Sequence, residues 1–214
     1  MYSKLQYISQ GETATEQLNN IQSAIEAGCK WIQLRFKYAG TEDLKALAVD
    51  VKKICTQHGV IFIINDHPLI AKAVGADGLH LGLTDMPVAE ARKILGDNKI
   101  IGGTANTLQD VLQRVKEGCN YIGLGPLRFT TTKQKLSPLL GFEGYKMIVD
   151  ELKLHGISIP IYAIGGIIQE DIAPLIQTGI NGIAVSGMIT HHADKKILLQ
   201  QINELLYERT NHSG

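Results

Sequence analysis

The chain switches repeatedly between two hydrophobic patterns. One is a short, nearly continuous apolar run: LQYISQ (5–10), VIFIIND (60–66), KIIGGTA (99–105) and IPIYAIGG (159–166). Such runs are expected of parallel strands covered on both faces. The other pattern has helical spacing. Leu44, Leu47, Ala48, Val51 and Ile54 fall on one face, as do Leu108, Val111, Leu112 and Val115. Four more strands sit in a repeated unit: EAGCKWIQLR (26–35), AVGADGLHLG (73–82), KEGCNYIGLG (116–125) and QTGINGIAVS (177–186). Each has a glycine, two residues and then an apolar strand. Glycine just past a helix takes the left-handed conformation that ends it, so each copy reads as helix, stop, strand.

Helix starts carry suitable residues: Thr41 ahead of Glu42-Asp43-Leu44, Thr107 ahead of LQDVL, and Pro87 in a first turn after Asp85. The count is eight strands, each followed by a helix. That predicts an α/β protein, a compact (β/α)8 TIM barrel forming one domain over 1–214. A doubly wound open sheet is the structural alternative. Only the tail from about 210 (TNHSG) reads as disordered.

Composition removes several function classes. The 214 residues are 44% hydrophobic, enough for a proper core. Formal net charge is zero, and the lysines and arginines are scattered. That leaves no basic footprint for nucleic acid and no polybasic membrane patch. No apolar run approaches the roughly 18 residues of a membrane span, and MYSKLQYISQGETAT lacks the apolar segment of a signal peptide. Cys29, Cys55 and Cys119 have no metal-ligand spacing and read as reduced, buried thiols of a cytoplasmic protein.

In a TIM barrel the active site sits at the C-terminal ends of the strands, so polar residues there are the candidates. The second strand ends in IQLRFK, where Gln33, Arg35 and Lys37 share one face by period-two geometry. The third ends in Asn65-Asp66, and the loop after the fourth carries Asp85. Adjacent strands lie roughly 5 Å apart, so the two carboxylates repel unless a cation separates them. Mg²⁺ commonly takes one or two carboxylates and completes its shell with phosphate oxygens and water. Thr104 ends the fifth strand. After the sixth, YIGLGPLRFTTTK offers Thr130, Thr131, Thr132 and Lys133, the components of an anion site. Gly165, Gly166 and Ser186 follow strands seven and eight, where barrels often bind phosphate. Together these residues read as a site for two anions. A diphosphate with a metal would lie near Arg35, Lys37, Asp66, Asp85 and Lys133, and a monophosphate near the threonines, Gly166 and Ser186. His191-His192 reads as a solvated helix start, His80 as an interior hydrogen-bonded histidine, and Trp31 and Tyr121 as core. No Ser-His-Asp arrangement is present.

IQLRFK (32–37), INDHPLIAKAVGADGLHLGLTDM (64–86), YIGLGPLRFTTTK (121–133), IPIYAIGGI (159–167) and GIAVSG (182–187) resemble, in order, the motifs of the thiamine phosphate synthases. The resemblance implies a reaction in which hydroxymethylpyrimidine diphosphate and thiazole phosphate give thiamine phosphate and pyrophosphate. It places the pyrimidine diphosphate on Gln33, Leu34, Arg35, Phe36, Lys37, Asn65, Thr104 and Lys133. Arg35, Lys37 and Lys133 would be the catalytic cations. It puts Mg²⁺ on Asp66 and Asp85, and the thiazole phosphate on Thr130, Thr131, Thr132, Gly165, Gly166, Val185 and Ser186. Phosphorylated small molecules are then the only partners implied.

The sequence departs from the family pattern at five places. Phe36 replaces an acidic residue, His67 an arginine, Leu83 a glutamine, Asn106 a histidine, and Phe129 a proline. Alternative readings are the related thiazole tautomerase, a non-catalytic barrel that binds a phosphorylated ligand, and another phosphate-binding barrel enzyme such as a sugar-phosphate isomerase.

Overall fold

The structure, a computed structural model, describes residues 2–128 and 139–207. Phe129, Thr130, Thr131, Thr132 and Lys133, and the tail from 210, lie outside the described residues.

Eight parallel strands close into a barrel in sequence order. They are β1 (Leu5–Ile8), β2 (Trp31–Leu34), β3 (Ile61–Asn65), β4 (Gly78–Leu81), β5 (Ile100–Ala105), β6 (Tyr121–Leu124), β7 (Ile161–Ile164) and β8 (Gly182–Val185). Pairing of Leu5 with Ile183 and of Tyr7 with Val185 joins β8 to β1. The fold is therefore the expected (β/α)8 TIM barrel rather than an open sheet. The helices between strands are α1 (Ala14–Glu26), α2 (Thr41–His58), α3 (Pro68–Ala73), α4 (Val88–Leu95), α5 (Leu108–Lys116), α6 (Gly141–Leu154) and α7 (Ile172–Gln177). After β8 come a four-residue helix, α8 (Gly187–Thr190), and then α9 (Lys195–Tyr207).

Local chemistry sets the helix ends. Thr107 caps α5 in a capping box: its hydroxyl accepts from the Asp110 N–H, and the Asp110 carboxylate accepts from the Thr107 N–H. Thr41 differs from expectation. It is the first helical residue of α2, because the Gly40 carbonyl already accepts the Leu44 N–H at 3.0 Å. Pro87 likewise stands one position earlier than expected, as the residue before α4. Gly59 ends α2 at φ 61°, the left-handed cap read from the sequence.

Side-chain alternation divides the strands into two faces. Ile32, Leu34, Phe62, Ile64, Leu79, Leu81, Ile101 and Ile122 join the core shared with the helices. Trp31, Ile63, Tyr121 and Tyr162 form a separate cluster, closed by Tyr2, Ile61 and Ile100. Trp31 meets Tyr121 and Tyr162 edge-on, at centroid distances of 4.8 and 4.9 Å. Gly102 makes this possible, since a Cβ there would stand 2.1 Å from the Tyr121 ring. Toward the C-terminal ends of the strands small residues, Ala184 after Ile183 and Gly165-Gly166 after Ile164, line open space instead. The interior is thus filled at its N-terminal end and left open at the other, where ligands bind in this fold.

Candidate active site

The open end is a cavity of about 450 Å³, within the usual range for a small-molecule site. Gln33, Arg35, Asn65, His80 and Thr104 line one part, from β2 to β5. Gly165, Gly166, Val185, Ser186, Gln10 and His191 line the other, from the ends of β7, β8 and β1. Eight of the sequence candidates therefore meet in one space. Gln33 is 2% exposed, and its amide N–H donates to Asn65 Oδ1 at 2.7 Å. Among the described residues its carbonyl oxygen, Oε1, is buried with no partner, an acceptor set for a ligand donor.

Asp66 and Asp85 stand together beside this cavity rather than in its lining. Asp66 follows β3 at φ 64°, the one positive φ among the described non-glycine residues. Its N–H donates to the His80 carbonyl at 2.9 Å, which ties it to β4. Burial pushes its carboxyl up to about 7, and the neighbouring Asp85 carboxylate adds to the rise; Arg35 and Lys37 oppose it. Asp85 Oδ2 accepts the Gly82 N–H at 2.6 Å, an approach that a Cβ at position 82 would block. Two crowded carboxylates beside two cations can hold one hard divalent ion. Among the described residues no further His, Cys, Asp or Glu completes the pair into a cage, so such an ion would take its remaining oxygens from water or substrate.

The other end is built from backbone. Gly165 and Gly166 have φ of 88° and 68°, conformations that side chains rarely adopt, so bare main chain faces the cavity. Arg128 straps this turn in place. It donates to the Gly166 carbonyl at 3.2 Å and to both oxygens of the Asp171 carboxylate. Asp171 also accepts the Ile168 N–H at 2.9 Å. Ser186 donates to Gln10 Oε1 at 3.2 Å, which joins the end of β8 to the end of β1.

Other candidates are placed differently. Leu34 is buried among the helix-facing core and Phe36 packs against it, so only their main chain can reach a ligand. Lys37 lies beyond the end of β2, exposed, with its charge felt at Asp66. Three contributors had no sequence signal: Gln10, the Arg128–Asp171 strap and Arg114. Arg114 is buried and donates to the Thr104 carbonyl at 3.1 Å and the Gly82 carbonyl at 2.7 Å, joining β5 to the Asp85 loop. His191 is exposed as expected, but it ends α8 rather than starting a helix, and it also lines the cavity. Burial pushes the Cys29 and Cys119 thiols up to about 11 and Cys55 to about 12, so all three stay protonated.

The family described as thiamine monophosphate synthase matches residues 5–189. A thiamine-phosphate synthase of Flavobacterium johnsoniae is 57% identical over 207 residues, covering 97% of this chain and 98% of its own. That of Flavobacterium psychrophilum is 56% identical, covering 96% of this chain and all of its own. The solved thiamine phosphate pyrophosphorylase of Pyrococcus furiosus superposes with a TM-score of 0.83 at 29% identity, over 95% of each chain. Likeness of this extent, joined to the barrel and its polar mouth, makes the chain a transferase that belongs to the thiamine monophosphate synthase family.

Proposed function

We propose that this enzyme joins hydroxymethylpyrimidine diphosphate to a thiazole phosphate, forming thiamine phosphate and releasing pyrophosphate. The observation that carries the reading is the single cavity with two unlike ends. One presents a buried amide acceptor beside Arg35, and the other presents glycine backbone and Ser186. A diphosphorylated aminopyrimidine fits the first, with its exocyclic amino group donating to Gln33 Oε1. A monophosphate fits the second.

The chemistry suits such a site. The C–O bond between the pyrimidine methylene and the diphosphate breaks, and both electrons leave with the diphosphate. The aminopyrimidine ring delocalises the positive charge left on the methylene carbon. The thiazole nitrogen then gives its lone pair to that carbon, so no general base is required. Arg35, Lys37 and Lys133 neutralise the leaving group electrostatically. Mg²⁺ on Asp66 and Asp85 would add Lewis-acid stabilisation of the same charge. Gly165, Gly166, Val185 and Ser186 hold the thiazole phosphate in line with the methylene, with Thr130, Thr131 and Thr132 added by family resemblance. Asn106 speaks against the tautomerase alternative. Its side-chain amide donates to the carbonyls of Ala105 and Gly125 and offers no acid or base to the cavity.

The test is direct. Purified protein is mixed with both substrates, with Mg²⁺ or with a chelator, and product is followed as its fluorescent oxidised derivative. Metal-dependent thiamine phosphate is expected. Thiazole phosphate binding without product would move the binding-barrel reading ahead.

A further inference from the structure

A chain of hydrogen bonds runs from the barrel interior to the cavity. Gln6 Nε2 donates to the Tyr121 hydroxyl at 3.2 Å. That hydroxyl lies 3.0 Å from His80 Nδ1, and His80 Nε2 lies 3.0 Å from the Thr104 hydroxyl. Gln6, Tyr121, His80 and Thr104 are all at most 8% exposed, and only His80 and Thr104 line the cavity. The four residues stand on β1, β6, β4 and β5, so the chain crosses the barrel.

The direction of these bonds can be settled by counting protons. Tyr121 has no exposed surface, and burial holds its phenol proton firmly on. Among the described residues its hydroxyl has two partners, Gln6 and His80. Gln6 donates, so the phenol proton must go to His80 Nδ1. The reverse would leave a buried O–H with no acceptor, which is costly. His80 then carries its own proton on Nε2 and donates it to Thr104 Oγ1. Among the described residues the Thr104 hydroxyl makes no other hydrogen bond, so its hydrogen is free to point into the cavity. We infer that Gln6, Tyr121 and His80 form a positioning relay that fixes Thr104 as a hydrogen-bond donor to the diphosphate-bearing substrate. The inference rests on the function proposed above for the ligand's identity, but the polarity of the relay does not.

Packing supports the same role for His80. A Cβ at Gly123 would stand 3.2 Å from the imidazole Cε1, so a side chain there would crowd the ring. An imidazole held at both nitrogens cannot turn, and it can hold only one tautomer while Gln6 faces the phenol.

The experiment uses full-length protein labelled with ¹⁵N in its imidazoles. Long-range nitrogen–proton spectra report which His80 nitrogen carries hydrogen, and steady-state kinetics are run on the same preparations. His80 is expected as the Nε2–H tautomer. In Tyr121→Phe, which keeps the ring in its packing, the Nδ1 acceptor loses its donor and the tautomers mix. KM for the pyrimidine diphosphate then rises about threefold to tenfold in Tyr121→Phe and in Thr104→Val, the usual effect of one neutral hydrogen bond. KM for thiazole phosphate stays unchanged, which a general loss of folding would not produce. His80 found as the Nδ1–H tautomer overturns the relay. So does Tyr121→Phe with an unmixed tautomer and unchanged KM. A wild-type protein with the expected tautomer that forms no thiamine phosphate would sink the proposed reaction and leave the relay standing.

Discussion

At the residue scale Asp66 has the most to explain. Its positive φ is a backbone cost of the kind that collects at functional sites. Its carboxyl is raised to about 7, above the roughly 3.9 of an unfolded aspartate. A group whose folded pKa is raised contributes stability that is fully present below the unfolded value. That stability is lost as pH rises through the folded value. The metal-free enzyme should therefore be penalised at pH 8 for ionising Asp66 in its buried place beside Asp85. Asn carries no charge and tolerates positive φ. Asp66→Asn is expected to raise the midpoint of thermal unfolding by about 2–5 °C at pH 8 in chelator, and by clearly less at pH 5, where folded Asp66 still holds its proton. Calorimetry at the two pH values checks this, and a variant less stable than its parent at pH 8 would remove the repulsion argument. The pairing of Asp66 with Asp85 was legible in the sequence because both leave adjacent strands. The role of Gln10 was not, because its partner Ser186 lies at the far end of the chain and meets it only when the barrel closes.

At the scale of elements, strands and their turns were readable from two hydrophobic periods, and the Thr107 cap from its spacing to Asp110. Thr41 misled because a preceding glycine can supply the cap backbone without a side chain. What no local pattern carried was the strap between the loop after β6 and the turn after β7. Arg128 and Asp171 are 43 residues apart and meet because β6 and β7 are neighbours. Burial pushes the Asp171 carboxyl up, but hydrogen bonds from Arg128 and the Ile168 N–H outweigh it and hold the carboxyl below its ordinary range. A group with a depressed folded pKa contributes its stability above the unfolded value and loses it as pH falls through the folded one. The strap is therefore constant between pH 6 and 9. Arg128→Ala frees the Gly166 carbonyl and loosens the end proposed for the thiazole phosphate. KM for thiazole phosphate should rise about tenfold at every pH in that range, with KM for the pyrimidine diphosphate little altered. An effect confined to the pyrimidine substrate would mean that the two ends are assigned the wrong way round.

At the scale of the whole molecule the barrel separates stability from chemistry along its axis. Closure itself was legible, since eight alternating strand–helix units in 214 residues leave few other arrangements. The cavity was not legible, because it depends on which side chains from different strands reach the same height. Trp31, Tyr121 and Tyr162 fill the N-terminal half, and Ala184, Gly165 and Gly166 are among the small residues lining the open other half. Trp31 offers a test of that separation. Among the described residues its buried indole N–H has no partner, so Trp31→Phe removes contact area and an unsatisfied donor together. The two effects oppose one another: lost packing destabilises, and removal of an orphaned N–H stabilises. The net change in unfolding free energy should be about 1 kcal/mol or less, well under the 3–5 typical of truncating a buried aromatic to alanine. Chemical unfolding followed by circular dichroism measures it, because Trp31 is the only tryptophan available for fluorescence. Both KM values should hold, since no atom of Trp31 lines the cavity. If KM for the pyrimidine diphosphate alone rose, the edge-on contact between Trp31 and Tyr121 would be transmitting core packing to Thr104, and the two halves of the barrel would share one set of constraints.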